Sequence, residues 1–168
     1  MRYDSLMLRP TTPDDTAALD ALADRTGVFK PHEIVALREV LDDYHATNRE
    51  YGHVAQTWDD GTIAGFVYFA PTAMTDRTFE LWWIAVDPAR QGTGLGTQML
   101  VAVEADVWAA DGRVLLIETS STDGYAPTRN FYLARGYVQV AAIPDFYSDG
   151  DDKIIFCRRR PADLTRPT

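Results

Sequence analysis

Apolar residues recur along this chain with two periods, and the switches between them mark the elements. Residues 5 to 9 (Ser5 to Arg9) predict a short first strand. Thr12-Pro13-Asp14-Asp15 then predicts a helix start, with Thr12 as N-cap, Pro13 at the first helical position and Asp15 three residues on. Leu19 and Leu22 carry the apolar spacing of that helix up to Gly27. A second helix is predicted from Pro31 to about Asn48, with Ile34, Leu37, Val40, Leu41 and Tyr44 on one stripe. Residues 51–58 and 63–70 form a hairpin around Asp59-Asp60-Gly61, and residues 78–86, rich in aromatic and β-branched side chains, make a third long strand. Leu95, Met99, Val103 and Val107 return every four residues, so a helix runs to about Ala110 and ends at Asp111-Gly112.

The remainder alternates. Residues 114–118 read as a buried strand, 126–135 as a helix stopped by Gly136, and 137–143 and 153–158 as the last two strands. Asp145-Phe146-Tyr147 and Asp149-Gly150-Asp151-Asp152 read as the loop between them, and residues 161–168 as a disordered tail. The order β-α-α-β-β-β-α-β-α-β-β predicts an α/β (α+β) fold. It is a mixed, mostly antiparallel sheet of about seven strands with helices on both faces, in one domain over residues 1–160.

Composition narrows the function classes. With 46% hydrophobic and 24% charged residues, the 168-residue chain is ordinary for a water-soluble globular protein. No apolar run approaches the roughly 20 residues of a membrane span, and the polar N-terminus lacks a signal-peptide core, so a cytoplasmic protein without a membrane partner is expected. The lone Cys157 excludes an internal disulfide framework and a thiolate metal cluster. A net charge of -9 argues against nucleic acid and favours a cationic small molecule.

Residues 86–96, VDPARQGTGLG, carry the clearest chemical signal. Glycines between a strand and a helix suit an anion that must approach the main chain at the positive end of a helix. A P-loop fails, because Thr97-Gln98 stands where Lys-Ser or Lys-Thr is needed. A dinucleotide fingerprint would use Glu118 on the ribose, but the spacing is Gly92-x-Gly94-x-Gly96 and five residues, Asp87 to Gln91, precede the first glycine. A connector without a ligand is the bland alternative.

Gln91-x-x-Gly94-x-Gly96 closely resembles motif A of the GNAT superfamily of acyl-CoA-dependent N-acyltransferases. Phe131-Tyr132-Leu133-Ala134-Arg135-Gly136-Tyr137 is similar to that family's motif B, with Tyr125 and Thr128 where the family has Asn and Ala. The resemblance covers roughly residues 3 to 159. It implies acetyl-CoA as cosubstrate without a metal. It also implies an N-acetyltransferase passing the acetyl group directly to a primary amine, with a small cationic amine favoured by the charge.

The same resemblance implies roles for single residues. Main-chain groups of Ile84, Ala85 and Val86 would pair with the pantetheine arm, and the amides of Gln91, Gly92, Thr93, Gly94, Leu95, Gly96 and Thr97 would hold the pyrophosphate. Arg129 is a candidate phosphate contact and Tyr132 the general acid, the alternative for each being a solvated arginine and a packed core tyrosine. Glu80, the only titratable group of its strand, is the candidate base, with Glu118 or a water chain as rivals. His45 and His53 are bases by chemistry alone. Trp82 and Trp83 point to opposite faces, so one is core and the other suits an acceptor cleft, with Phe29 as a lid aromatic. Two rival readings remain: a non-catalytic acyl-CoA sensor of the same fold, and a protein or peptide N-acetyltransferase. A homodimer is compatible with all of these.

Overall fold

A computed structural model describes residues 7–162. The predicted start of the first strand and the tail beyond residue 162 lie outside the described residues. The predicted element order is found. Strands β1 (Leu8–Pro10), β2 (Val54–Asp59), β3 (Ile63–Pro71), β4 (Thr78–Val86), β5 (Val114–Ser120), β6 (Val138–Ser148) and β7 (Asp151–Arg159) form one mixed sheet in the order β1-β2-β3-β4-β5-β7-β6. Helices α1 (Thr16–Thr26) and α2 (Pro31–Ala46) follow β1, α3 (Leu95–Ala109) follows β4, and α4 (Ala126–Leu133) follows β5. β4 and β5 pair in parallel from Thr78 opposite Val114 to Leu81 opposite Ile117, and β1-β2, β2-β3, β5-β7 and β6-β7 are antiparallel.

The chain groups into two compact units rather than one even mass of contacts. The first holds the residues up to Ala70 with Trp82–Ala105. Its core is built by the predicted helix stripes: Leu19 and Leu22 of α1, Leu37, Leu41 and Tyr44 of α2, and Phe66 and Tyr68 of β3 are all buried. Truncating Leu22 or Leu37 to Ala removes close-packed contacts and costs about 2–5 kcal/mol. On β3, Gly65 leaves no room for a side chain, since a Cβ there would lie 2.8 Å from the Ala85 carbonyl and from the Met99 sulfur. The second unit holds Pro71–Leu81 and the residues from Asp106 on. Leu115, Ile117, Tyr132, Tyr137 and Phe156 are among its buried apolar side chains.

Boundaries shift where local chemistry overrides periodicity. β2 starts at Val54 rather than residue 51, because Asn48–Tyr51 makes a short 3-10 turn closed by Gly52 at φ 84°. The predicted capping at Thr12 is present, but it opens a 3-10 turn over Pro13–Asp15, and α1 proper begins at Thr16. There, Thr12 N–H donates to Asp15 Oδ2 at 2.7 Å. The largest correction concerns residues 145–148, which belong to β6, leaving only Asp149 and Gly150 as the turn. Pro144, which suggests a break, is tolerated because β6 is the edge strand, where a missing N–H breaks no second ladder. Asp145, at φ 53°, and a register shift between Ile143 and Ser148 absorb the irregularity.

Candidate active site

The glycine loop joins β4 to α3 within the first compact unit. Its first half is braced. Asp87 N–H donates to the Ala64 carbonyl at 2.9 Å, while its carboxylate accepts from Ala89 N–H at 2.9 Å and from Arg25 Nη2 at 2.5 Å. Arg90 reaches back to Asp60 in the β2-β3 turn at 2.7 Å, and Gln91 Nε2 donates to the Val86 carbonyl at 3.3 Å. The Arg25 guanidinium holds the Asp87 carboxyl below the usual carboxylate range.

The second half differs in kind. Gly92 and Gly94 take φ of 75° and 86°, a region costly for any residue with a Cβ, and a Cβ on either would stand in open space. Thr93 turns its hydroxyl away to donate to the Arg90 carbonyl at 2.6 Å. The first turn of α3 begins at Leu95, where helix geometry leaves main-chain N–H groups without partners inside the helix. Open space over bare main chain at the positive end of a helix suits a phosphate-bearing ligand.

The other predicted residues fall on several elements. Glu80 is half-buried on β4, opposite Leu116 of β5. Glu118, on β5, is ion-paired to Lys153 Nζ of β7 at 2.6 Å. Arg129 donates from Nη1 to the Ser120 and Thr122 carbonyls, both at 2.8 Å, and so ties α4 to the end of β5. Tyr132 is 2% exposed among Phe131, Tyr137 and Phe156, and burial pushes its phenol well above the ordinary range. Ile84, Ala85 and Val86 close β4, and Cys157 sits in β7 opposite Leu116 and Val138.

An aromatic cluster in the first unit was only partly legible in the sequence. Tyr68 of β3 stacks on Trp82 of β4 with ring centroids 5.4 Å apart, and His53 meets Trp82 edge-on at 5.4 Å. His53 Nδ1 lies 2.7 Å from the Tyr68 hydroxyl. Trp83 packs on Phe29 with ring centroids 5.1 Å apart, and both lie against the helical core to which Tyr68 also belongs. Of the two indoles, Trp82 is the exposed one, at 43%. Burial lowers the pKa of His53 and pushes Tyr68 up to about 12, so neither is charged at neutral pH. Alternation picked out the Trp pair, but only the strand pairing brings His53 and Tyr68 to it.

A strand, a glycine loop open to main-chain approach and a helix, set in a mixed sheet, suit a fold that receives a phosphate-bearing ligand such as an acyl-CoA. The chain belongs to the Acetyltransferase (GNAT) family, whose model matches residues 16–137. A protein of Desulfovibrio desulfuricans assigned to the same family is 36% identical, with a TM-score of 0.85 over 90% of this chain and 97% of that one. An uncharacterised N-acetyltransferase of Methanocaldococcus jannaschii is 26% identical over 61% of this chain, and the matched stretch spans 63% of that relative. A Salmonella typhimurium structure solved with its cofactor acetyl-CoA shares the fold, with a TM-score of 0.73 at 19% identity over 92% of this chain and 94% of that one. The protein is therefore an acyl-CoA-dependent acetyltransferase. No described helix is long and apolar enough to cross a membrane.

Proposed function

We propose that the protein transfers the acetyl group of acetyl-CoA directly to a primary amine, and that the acceptor is a small cationic amine. The observation that carries the reading is the half-braced loop, braced up to Gln91, whose N–H donates to the Pro88 carbonyl at 3.4 Å, and open over Gly92 and Gly94, which suits a pyrophosphate held by the amides from Gly92 to Thr97. Main chain at Ile84, Ala85 and Val86 pairs with the pantetheine arm. The net charge of -9 supports a cationic acceptor.

Bound acetyl-CoA supplies a thioester carbon open to a neutral nitrogen. Glu80 takes a proton from the ammonium form before attack, and Tyr132 hydrogen-bonds or protonates the departing sulfur. Direct transfer is favoured because Cys157 lies between two strands of the sheet, with no motif that would activate a thiol nucleophile.

The test is a panel of amine acceptors with acetyl-CoA, read by release of free thiol. Acetylation of small cationic amines is the expected result. Acetylation of peptides alone overturns the acceptor, and stimulation by no amine points to a sensor.

A further inference from the structure

Trp82 is an anomaly of placement. It sits on the middle strand of a seven-stranded sheet, where side chains are ordinarily covered, yet its indole is 43% exposed. Trp58 and Trp108 are buried and Trp83 is covered by Phe29, so Trp82 is the exposed one of the four tryptophans. Its indole is rigidly backed. Fully buried Tyr68 stacks beneath it at an interplanar angle of 27°, His53 abuts it at 87°, and Tyr44 in turn meets Tyr68 edge-on at 6.0 Å.

An exposed indole held in place by its ring partners attracts cations more than neutral groups, because the ring carries negative charge density above its plane. Burial disfavours the charged form of both ring partners, so the stack itself does not repel a positive charge.

We propose that Trp82, backed by Tyr68 and His53, is an acceptor subsite for a second, non-reacting cationic group. The acceptor class is therefore a diamine or a related amine carrying an ammonium or guanidinium at its far end. The chemistry requires two groups. The nitrogen that attacks the thioester must first become neutral, so it is not the group that draws its binding from a permanent positive charge. A monoamine would have to give up the cation–π contact to react, whereas a diamine keeps one end charged on the indole while the other reacts. This inference rests on the proposed amine transfer.

The experiment has two arms. With the coenzyme-saturated protein, tetramethylammonium is titrated while the four indole N–H resonances are followed in ¹⁵N-labelled protein, the Trp82 signal being assigned with Trp82→Phe. The Trp82 resonance is expected to move selectively, and tert-butanol, a neutral probe of similar shape, is expected to leave it in place. No movement, or equal movement with both probes, overturns the subsite. In the second arm, acetyl transfer is compared for a diaminoalkane and the alkylamine of equal length. The wild type should favour the diamine by roughly three- to thirtyfold in kcat/KM, the scale of a cation–π contact. Trp82→Phe should keep part of that preference and Trp82→Leu should lose it. An unchanged preference in Trp82→Leu overturns the proposal. Failure of every amine to react would instead defeat the proposed amine transfer, while the resonance titration still decides the subsite.

Discussion

β4 and β5 run parallel, and each leads through a short 3-10 turn into a helix, yet the two junctions use their main chain in opposite ways. After β5 the chain satisfies itself. The Ser120 hydroxyl donates to buried Asp151 at 2.6 Å and accepts from Thr122 N–H at 3.1 Å, Ser121 N–H donates to the Asp152 carbonyl, and Arg129 covers two carbonyls. After β4 the side chains brace only the approach, and the glycines beyond are bare and open. A strand-to-helix junction becomes an anion site when the protein withholds its own side chains from the last amides. Otherwise it is architecture. Arg129 takes part in the second pattern through its Nη1.

The sharpest way to break that contrast is to place a side chain in each junction. Gly94→Glu forces a Cβ at φ 86° and sets a negative charge in the open space, so coenzyme A affinity measured by calorimetry should fall by at least about 100-fold. Gly124, in the other junction, has open space and ordinary φ, so Gly124→Ala should change that affinity less than twofold. Equal effects at both positions would show that the β4 junction has no special relation to the coenzyme.

A carboxylate on each strand gives the next comparison. Glu80→Gln should lower kcat/KM by roughly 100-fold, the usual scale of general base catalysis, with activity recovering as pH approaches the amine's own pKa. Glu118→Gln should instead free Lys153 and cost under about tenfold, with an unchanged pH profile. A loss below threefold with an unchanged profile for Glu80→Gln would remove it as the base.

What the sequence made legible was local. The spacing Gly92-x-Gly94-x-Gly96 and the apolar run after it are read within one stretch of chain, so the loop and the start of α3 were placed directly. The braces were not, because Arg25 reaches Asp87 across 62 positions and Arg90 reaches Asp60 across 30. Nothing in the neighbourhood of Arg25 announces a partner that distant. The length of β6 was hidden for another reason. Pro144 and Asp145 are turn residues by propensity, and only the position of β6 at the sheet edge lets the strand continue through them. Trp82 and Trp83 show the same limit: alternation predicted one covered and one exposed indole, but which of them stayed exposed depended on Phe29 and the helices packed against Trp83.

Tyr132 tests whether the buried aromatic set of the second unit is packing or chemistry. Burial keeps its phenol protonated well past neutral pH, as an acid requires. Tyr132→Phe removes only the hydroxyl and should lower kcat by about tenfold or more while leaving coenzyme A affinity within about twofold. Its raised pKa predicts no alkaline limb from this group below about pH 10 in the wild type. Equal turnover in the mutant would make Tyr132 a core residue alongside Phe156 and Tyr137.

The smallest effect concerns the brace itself. Asp87→Asn keeps an oxygen to accept from Ala89 N–H but removes the charge facing Arg25, whose side chain is half exposed at 51%. Such a pair contributes little to stability, about 1 kcal/mol or less, so the melting temperature should move by only a few degrees. Coenzyme A affinity is the more telling readout, because the brace fixes the segment from which Gly92 and Gly94 start. A severalfold weaker Kd for Asp87→Asn at pH 7 is expected, matched by Arg25→Gln and not worsened in the double variant, since each removes the same interaction. The sign with pH follows from the depressed carboxyl: the brace is intact above the ordinary aspartate pKa near 3.8 and is lost as pH falls below it. The wild type should therefore show no loss of coenzyme affinity from this source between about pH 5 and pH 8. Additive losses in the double variant would mean that Arg25 and Asp87 act separately, and that the loop is held open by its glycines alone.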